Sequence, residues 1–119
     1  MISMWIGIVV GVFIVLALAW KFTLGGSGLK GAVVREKIKM GAMAIDVRSQ
    51  AEYQSGHYKG AKNIPVQELQ SRLGELGDKS KPIVIYCASG MRSAKALNIL
   101  TKAGFTDVMN AGTMRNLEG

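Results

Sequence analysis

The single cysteine of this 119-residue chain, Cys87, stands in the stretch IYCASGMRSAK, between a β-branched run and a helical pattern. The groups around that sulfur suit a thiolate. Ala88, Ser89 and Gly90 are small residues that let successive backbone N–H groups turn inward around a common point. A helix expected to start at Met91 adds the partial positive charge of its N-terminus and Arg92 adds a full charge, both favouring thiolate over thiol. Ser93 brings a hydroxyl into the first helical turn. A lone cysteine that finishes a buried strand is commonly a small apolar core residue. Strand end, small-residue loop, arginine and helix start together form a context that an inert cysteine does not require. The chemistry they point to is nucleophilic attack by a thiolate held in an anion cradle.

Such a loop needs a sheet to hold it. Ala42 to Val47 reads as a short buried strand, and Ser49 with Glu52 has capping-box spacing for a helix over Gln50 to Ser55, ended by Gly56. Ala61 to Pro65 reads as a second strand closed by proline, and Gln67 to Leu76 as a helix with Leu69, Leu73 and Leu76 on one face. Ile83 to Tyr86 has the composition of a central parallel strand buried on both faces. Met91 to Ala103 continues as a helix stopped by Gly104, and Asp107 to Met109 forms a last strand. Upstream, Lys30 to Met40 permits a short helix with Ala32, Val33, Ile38 and Met40 as its apolar face. Strands alternating with helices imply an α/β fold, a parallel sheet flanked by helices with right-handed crossovers. In open sheets of this kind, sites form beyond the carboxyl ends of the strands, where Cys87 lies. Asp46 and Arg48 close a strand near the same edge and are supporting candidates, with an Arg48–Glu52 pair at i, i+4 as their structural explanation. His57 falls in a turn between Gly56 and Tyr58, and Tyr53 and Tyr58 read as aromatics at the edge of the core.

Ahead of the domain, Ile2 to Trp20 contains no charged residue. At about 1.5 Å per residue such a run spans roughly 28 Å, near the thickness of a bilayer's hydrocarbon. A transmembrane helix is therefore expected over residues 1–22, with Trp5 and Trp20 at its ends, followed by a flexible Gly/Ser linker over 23–29 and a domain over 30–119. Ala17-Leu18-Ala19 has the small-x-small pattern of a cleavage site, but no Lys or Arg precedes Lys21, so the span reads as an uncleaved anchor. Gly7 and Gly11 would let two such helices approach, giving a homodimer through the anchor. Lys21, Lys30, Arg35, Lys37 and Lys39 follow the span with only Glu36 opposing them, which places the domain on the cytoplasmic side of an inner membrane. The net charge of +7 invites a nucleic-acid reading, but no Lys/Arg run interleaves with aromatics. One His and one Cys do not make a zinc set, so no metal and no cofactor is expected, and a single Cys excludes an internal disulfide.

The segment Cys87 to Ser93 resembles the active-site loop of single-domain rhodaneses, which are sulfurtransferases. Upstream, DVRSQAEYQSGHYKGAKNIP, Asp46 to Pro65, resembles that family's other signature: an acid-Val-Arg strand end, an acid-aromatic pair, Gly-His, Gly-Ala and Asn-Ile-Pro. The resemblance runs from Lys30 to Leu117 and implies a rhodanese-like fold and a thiosulfate sulfurtransferase-like enzyme. It implies a ping-pong relay: Cys87 takes the outer sulfur of thiosulfate, a polysulfide or a protein persulfide, becomes a persulfide, and passes the sulfur to a thiol or cyanide. Ala88, Ser89, Gly90, Met91, Arg92 and Ser93 would hold the terminal sulfur, with Arg92 facing the donor's anionic group or stabilising the loop. The resemblance treats His57 as fold-defining. Met91 is neutral where many relatives with high thiosulfate turnover carry further positive charge, which leaves two readings: a mouth suited to a polysulfide or protein persulfide as donor, or a bystander packing on the first helical turn. Two rivals are a non-catalytic module that docks a membrane or redox partner, and a cysteine phosphatase. Phosphatases place Arg six positions after the cysteine; Ser93 stands there, with Arg92 one position earlier, and the shorter loop suits a sulfur atom.

Overall fold

The computed structural model describes residues 27–118. The expected membrane span over 1–22 lies outside them, as do residues 23–26 of the expected linker. Among the described residues no helix is long and apolar enough to cross a membrane. The remaining linker positions are helical, because helix α1 begins at Ser27 and runs to Lys39.

The chain continues through β1 (Met43–Asp46), α2 (Gln50–Ser55), β2 (Lys62–Asn63), α3 (Val66–Leu69), a 3-10 turn over Leu73–Leu76, β3 (Ile83–Cys87), α4 (Met91–Lys102), β4 (Val108–Thr113) and α5 (Arg115–Glu118). The strands form one parallel sheet in the order β2-β1-β3-β4. All five residues of β3 are buried, and the period-2 geometry of a strand sends them to opposite faces. Ile83, Ile85 and Cys87 join Leu69, Leu76, Ala96 and Leu100 on the face covered by α3 and α4. Val84 and Tyr86 join Val34, Ala111 and Leu117 on the face covered by α1 and α5. This gives the α/β architecture read from the alternation of elements.

Four details differ from the sequence expectations. In α1 the buried residues are Gly31 and Val34, with Ile38 packed behind them, while Ala32 and Val33 are exposed and Met40 is 76% exposed. The helix phase is set by its approach to α5: a Cβ on Gly31 would stand 3.5 Å from the Asn116 carbonyl. The helix expected over 67–76 breaks into α3 and the 3-10 turn. Ser71 donates its hydroxyl to the Glu68 carbonyl, and the Ser71 and Arg72 amides bond three residues back, the local competition by which serine ends helices. Strand β4 runs to Thr113 rather than Met109, because a bulge opposite Ile85/Tyr86 lets pairing resume at Gly112, whose amide the Asn110 side chain accepts. The short α5 was not anticipated from sequence.

Candidate active site

The sheet order places a branch point at one edge of the molecule. From β1 the chain passes to β2 on one side, and from β3 it passes to β4 on the other, so the connections diverge between β1 and β3. Ligands of open α/β sheets bind in the crevice outside the strand carboxyl ends at such a point. Asp46 and Cys87 are the last residues of those two strands.

Cys87 is 1% exposed, and its sulfur lies inside the loop that follows it. The Gly90 amide donates to Sγ at 2.9 Å and the Ser93 amide at 3.4 Å. Ser93 Oγ stands 3.4 Å from the sulfur and donates to the Gly90 carbonyl at 3.0 Å, so rotation about one C–O bond presents that hydroxyl to a thiolate. Gly90 takes φ +96 as the cap of α4, the left-handed conformation that turns its amide toward the sulfur. Burial alone pushes the Cys87 thiol up; the Ser93 hydroxyl and the amides of Ser93, Gly90 and Ser89 outweigh it, and the ionisation ends below its ordinary value of 9.0. Ala88 and Ser89 are exposed at the mouth, and Met91 is 79% exposed beside it.

Arg92 is engaged by a carboxylate. Its Nη1 donates to Glu52 Oε1 at 2.6 Å and its Nη2 to Oε2 at 2.9 Å, which ties the first turn of α4 to α2. Both guanidinium nitrogens that Arg92 uses here go to Glu52, while the hydrogen bonds that favour the thiolate come from the loop amides and Ser93. Glu52 serves the expected capping box at the same time: Ser49 Oγ accepts from the Glu52 amide, and the Ser49 amide donates to Oε1 at 3.2 Å. The Arg92 guanidinium, ahead of Ser49, holds the Glu52 carboxyl down at about 2.

The expected Arg48–Glu52 pair is therefore not formed. Arg48 precedes the cap of α2, so the i, i+4 geometry of a helix does not apply to it. It folds back onto Asp46 instead, donating to both carboxylate oxygens, with Nη2 at 2.7 Å from Oδ2. The same nitrogen donates to the Gly56 carbonyl at 2.7 Å, and the guanidinium lies 5.7 Å from the Tyr86 ring centroid. Asp46 is fully buried, and Asn63 closes the corner by donating to the Asp46 and Arg48 carbonyls, each at 3.0 Å. Asp46 and Arg48 thus brace the end of β1 beside the loop. His57 is engaged at the end of α2: its ring stacks on Tyr53 at 3.6 Å and its Nδ1 donates to the Tyr53 carbonyl at 2.8 Å. Tyr53 donates its hydroxyl to the Ala61 carbonyl, and the Tyr58 amide donates to the Tyr86 hydroxyl, so both tyrosines fix the corner after α2.

A cleft of about 600 Å³ opens over the sulfur, lined by Arg48 and Cys87–Ala88, by Thr113 at the end of β4 and by Met114–Asn116 beyond it. The second wall lies past Met109, where the strand expected from sequence ends and β4 continues to Thr113. Cys87 lies beside Thr113 in the sheet register, so continuing β4 to that residue would have brought Arg115 into view. Sequence spacing offers Glu52 as a cap and as a partner of Arg48; its bond to Arg92 crosses forty residues, and no spacing rule reports it.

The family described as "Rhodanese-like domain" matches residues 31–112. A curated relative, the thiosulfate sulfurtransferase PspE of Escherichia coli, is 39% identical over 74 residues, 61% of this chain and 71% of the relative. The solved structure of a rhodanese with anions from E. coli superposes with a TM-score of 0.60 at 38% identity, covering 63% of this chain and 89% of that one. The human single-domain sulfurtransferase TSTD1 superposes with a TM-score of 0.64 at 29% identity, covering 71% and 88%.

Proposed function

The chain belongs to the rhodanese-like domain family, and from that premise we propose that it moves sulfane sulfur from a donor such as thiosulfate to a thiophilic acceptor through a persulfide on Cys87. The observation that carries this reading is a sulfur at the β1/β3 branch point onto which the Gly90 and Ser93 amides converge. In the first half-reaction the Cys87 thiolate attacks the outer sulfur of thiosulfate. A bond forms between the two sulfurs, the bond to the sulfonate sulfur breaks, and sulfite leaves with its electron pair. In the second, a thiolate or cyanide attacks the terminal sulfur and the electron pair returns to Cys87 Sγ.

The persulfide is anionic like the thiolate, so the same donors serve both states. The first-turn amides of α4 that no helical carbonyl accepts provide for the added sulfur. Phosphate-ester chemistry is disfavoured because the one arginine of the loop is already held by both oxygens of Glu52. The exposed, neutral Met91 supports an acceptor or donor with an apolar flank, such as a protein persulfide. In this proposal residues 1–22 anchor the domain in the cytoplasmic membrane with Cys87 on the cytoplasmic side, close to a membrane partner through a short linker.

The test is an intact-mass measurement after incubation of the full chain with thiosulfate and removal of excess donor. A gain of one sulfur is expected, lost on treatment with cyanide and absent in Cys87→Ser. A chain that gains no sulfur from thiosulfate or from polysulfide would leave the domain without this activity.

A further inference from the structure

An anionic donor entering a buried site needs an uncompensated cation, because its water is lost there and a neutral wall returns little. Three arginines stand near the sulfur. Arg92 is held by both oxygens of Glu52. Arg48 is held by both oxygens of the buried Asp46. Each of these pairs is neutral overall. Arg115 is the third: it is exposed, it lines the same cleft as Cys87, and among the described residues no carboxylate pairs with it.

Its placement is set by the fold. Cys87 is aligned with Thr113 across β3 and β4, and Arg115 follows Thr113 by two residues at the start of α5. The adjoining Asn116 is buried and donates to the Ala111 carbonyl, which pins this turn against the end of β4. Arg48 closes the β1 side of the cleft and Arg115 the β4 side, with Cys87 between them.

We propose that Arg115 is the oxyanion-recognition residue of the Cys87 cleft, taking the sulfonate head of a thiosulfate-type donor while the outer sulfur meets Sγ. This rests on the sulfurtransferase reading above and names its donor class. A guanidinium offers parallel N–H donors matched to two oxygens of one anion, and among the described residues no carboxylate occupies those of Arg115. It supplies from the β4 side the charge that Met91 does not supply from the loop. The sulfonate oxygens become those of the departing sulfite, so the contact persists from bound donor to leaving group and acts on donor binding more than on the chemical step.

Two measurements on the full-length chain in detergent test it. In steady-state sulfur transfer from thiosulfate to cyanide, Arg115→Ala is expected to raise KM for thiosulfate about tenfold with kcat within about twofold, and Arg115→Lys to recover most of that loss. In calorimetry on Cys87→Ser, where no sulfur can move, sulfite is expected to bind about tenfold more tightly than to Cys87→Ser/Arg115→Ala. Equal KM in wild type and Arg115→Ala overturns the assignment, and so does sulfite binding that is equal in, or absent from, the two Cys87→Ser proteins. Arg115-dependent sulfite binding in a chain that transfers no sulfur would uphold the subsite and sink the sulfurtransferase reading instead.

Discussion

At the scale of single residues, opposed effects meet on one sulfur. Burial works against ionisation of Cys87, and the hydroxyl and amides of its loop reverse the sign. The folded thiol therefore ionises below 9.0, so the thiolate fraction and the rate of alkylation or sulfur loading rise with pH through a midpoint under that value. Removing the Ser93 hydroxyl leaves burial in place and takes away the first of the opposing contributions. Ser93→Ala is expected to move the alkylation midpoint upward and slow sulfur loading at neutral pH by about tenfold, the worth of one hydrogen bond to a charge; a midpoint that stays put would refute this account. Glu52 gives a second pH signature with the same sign. Its carboxyl sits at about 2 in the folded chain against an ordinary 4.5, so its contribution to stability is complete above 4.5 and disappears only as pH falls toward 2. The melting-temperature gap between wild type and Glu52→Gln should hold constant from pH 7 to about 5 and close below about 4.5. A gap that opens on acidification would mean that the Arg92 tether contributes nothing.

At the scale of elements, each local conformation fixes which atoms reach the sulfur. Gly90 has to adopt φ +96 for its amide to point at Sγ. Gly90→Ala meets no backbone closer than 3.7 Å, so crowding is small and its cost is the left-handed backbone, about 1 kcal/mol. The expected result is a modest fall in denaturant midpoint with a much larger fall in sulfur loading; equal loading would show that this amide is dispensable. The elements legible in the sequence were those whose signals are local: the β-branched run of β3, the Ser49/Glu52 box of α2, and the small-residue loop into α4. What stayed hidden was decided by partners distant in the chain. Val33 and Val34 are chemically alike, and only the approach of α5 to Gly31 selects Val34 for burial. Arg48 faces Asp46 rather than Glu52 because it lies outside the helix that spacing would have it share. Arg115 reaches the cleft only through a bulge that lengthens β4 past its apolar residues.

At the scale of the whole molecule, the proposed anchor carries with it a proposed side of the membrane for the cleft. The uncharged run Ile2 to Trp20 is followed by Lys21, Lys30, Arg35, Lys37 and Lys39 against Glu36 alone, and if that run spans a membrane as proposed, the positive-inside bias assigns the following domain to the cytoplasm. That compartment also fits a persulfide carrier, since its thiol pools keep the resting cysteine reduced and offer acceptors for the sulfur. Labelling Cys87 itself is a poor test of side, because at 1% exposure the thiol reacts slowly with a bulky reagent wherever the domain lies. A reporter is better placed on the exposed Lys59, in a turn away from the sheet's carboxyl edge. In a Cys87→Ser background, Lys59→Cys should resist a membrane-impermeant maleimide in intact cells and label fully once the membrane is permeabilised. The same protein should pellet with membranes after carbonate washing. Ready labelling in intact cells would place the domain outside, and release by carbonate would remove the anchor from the proposal.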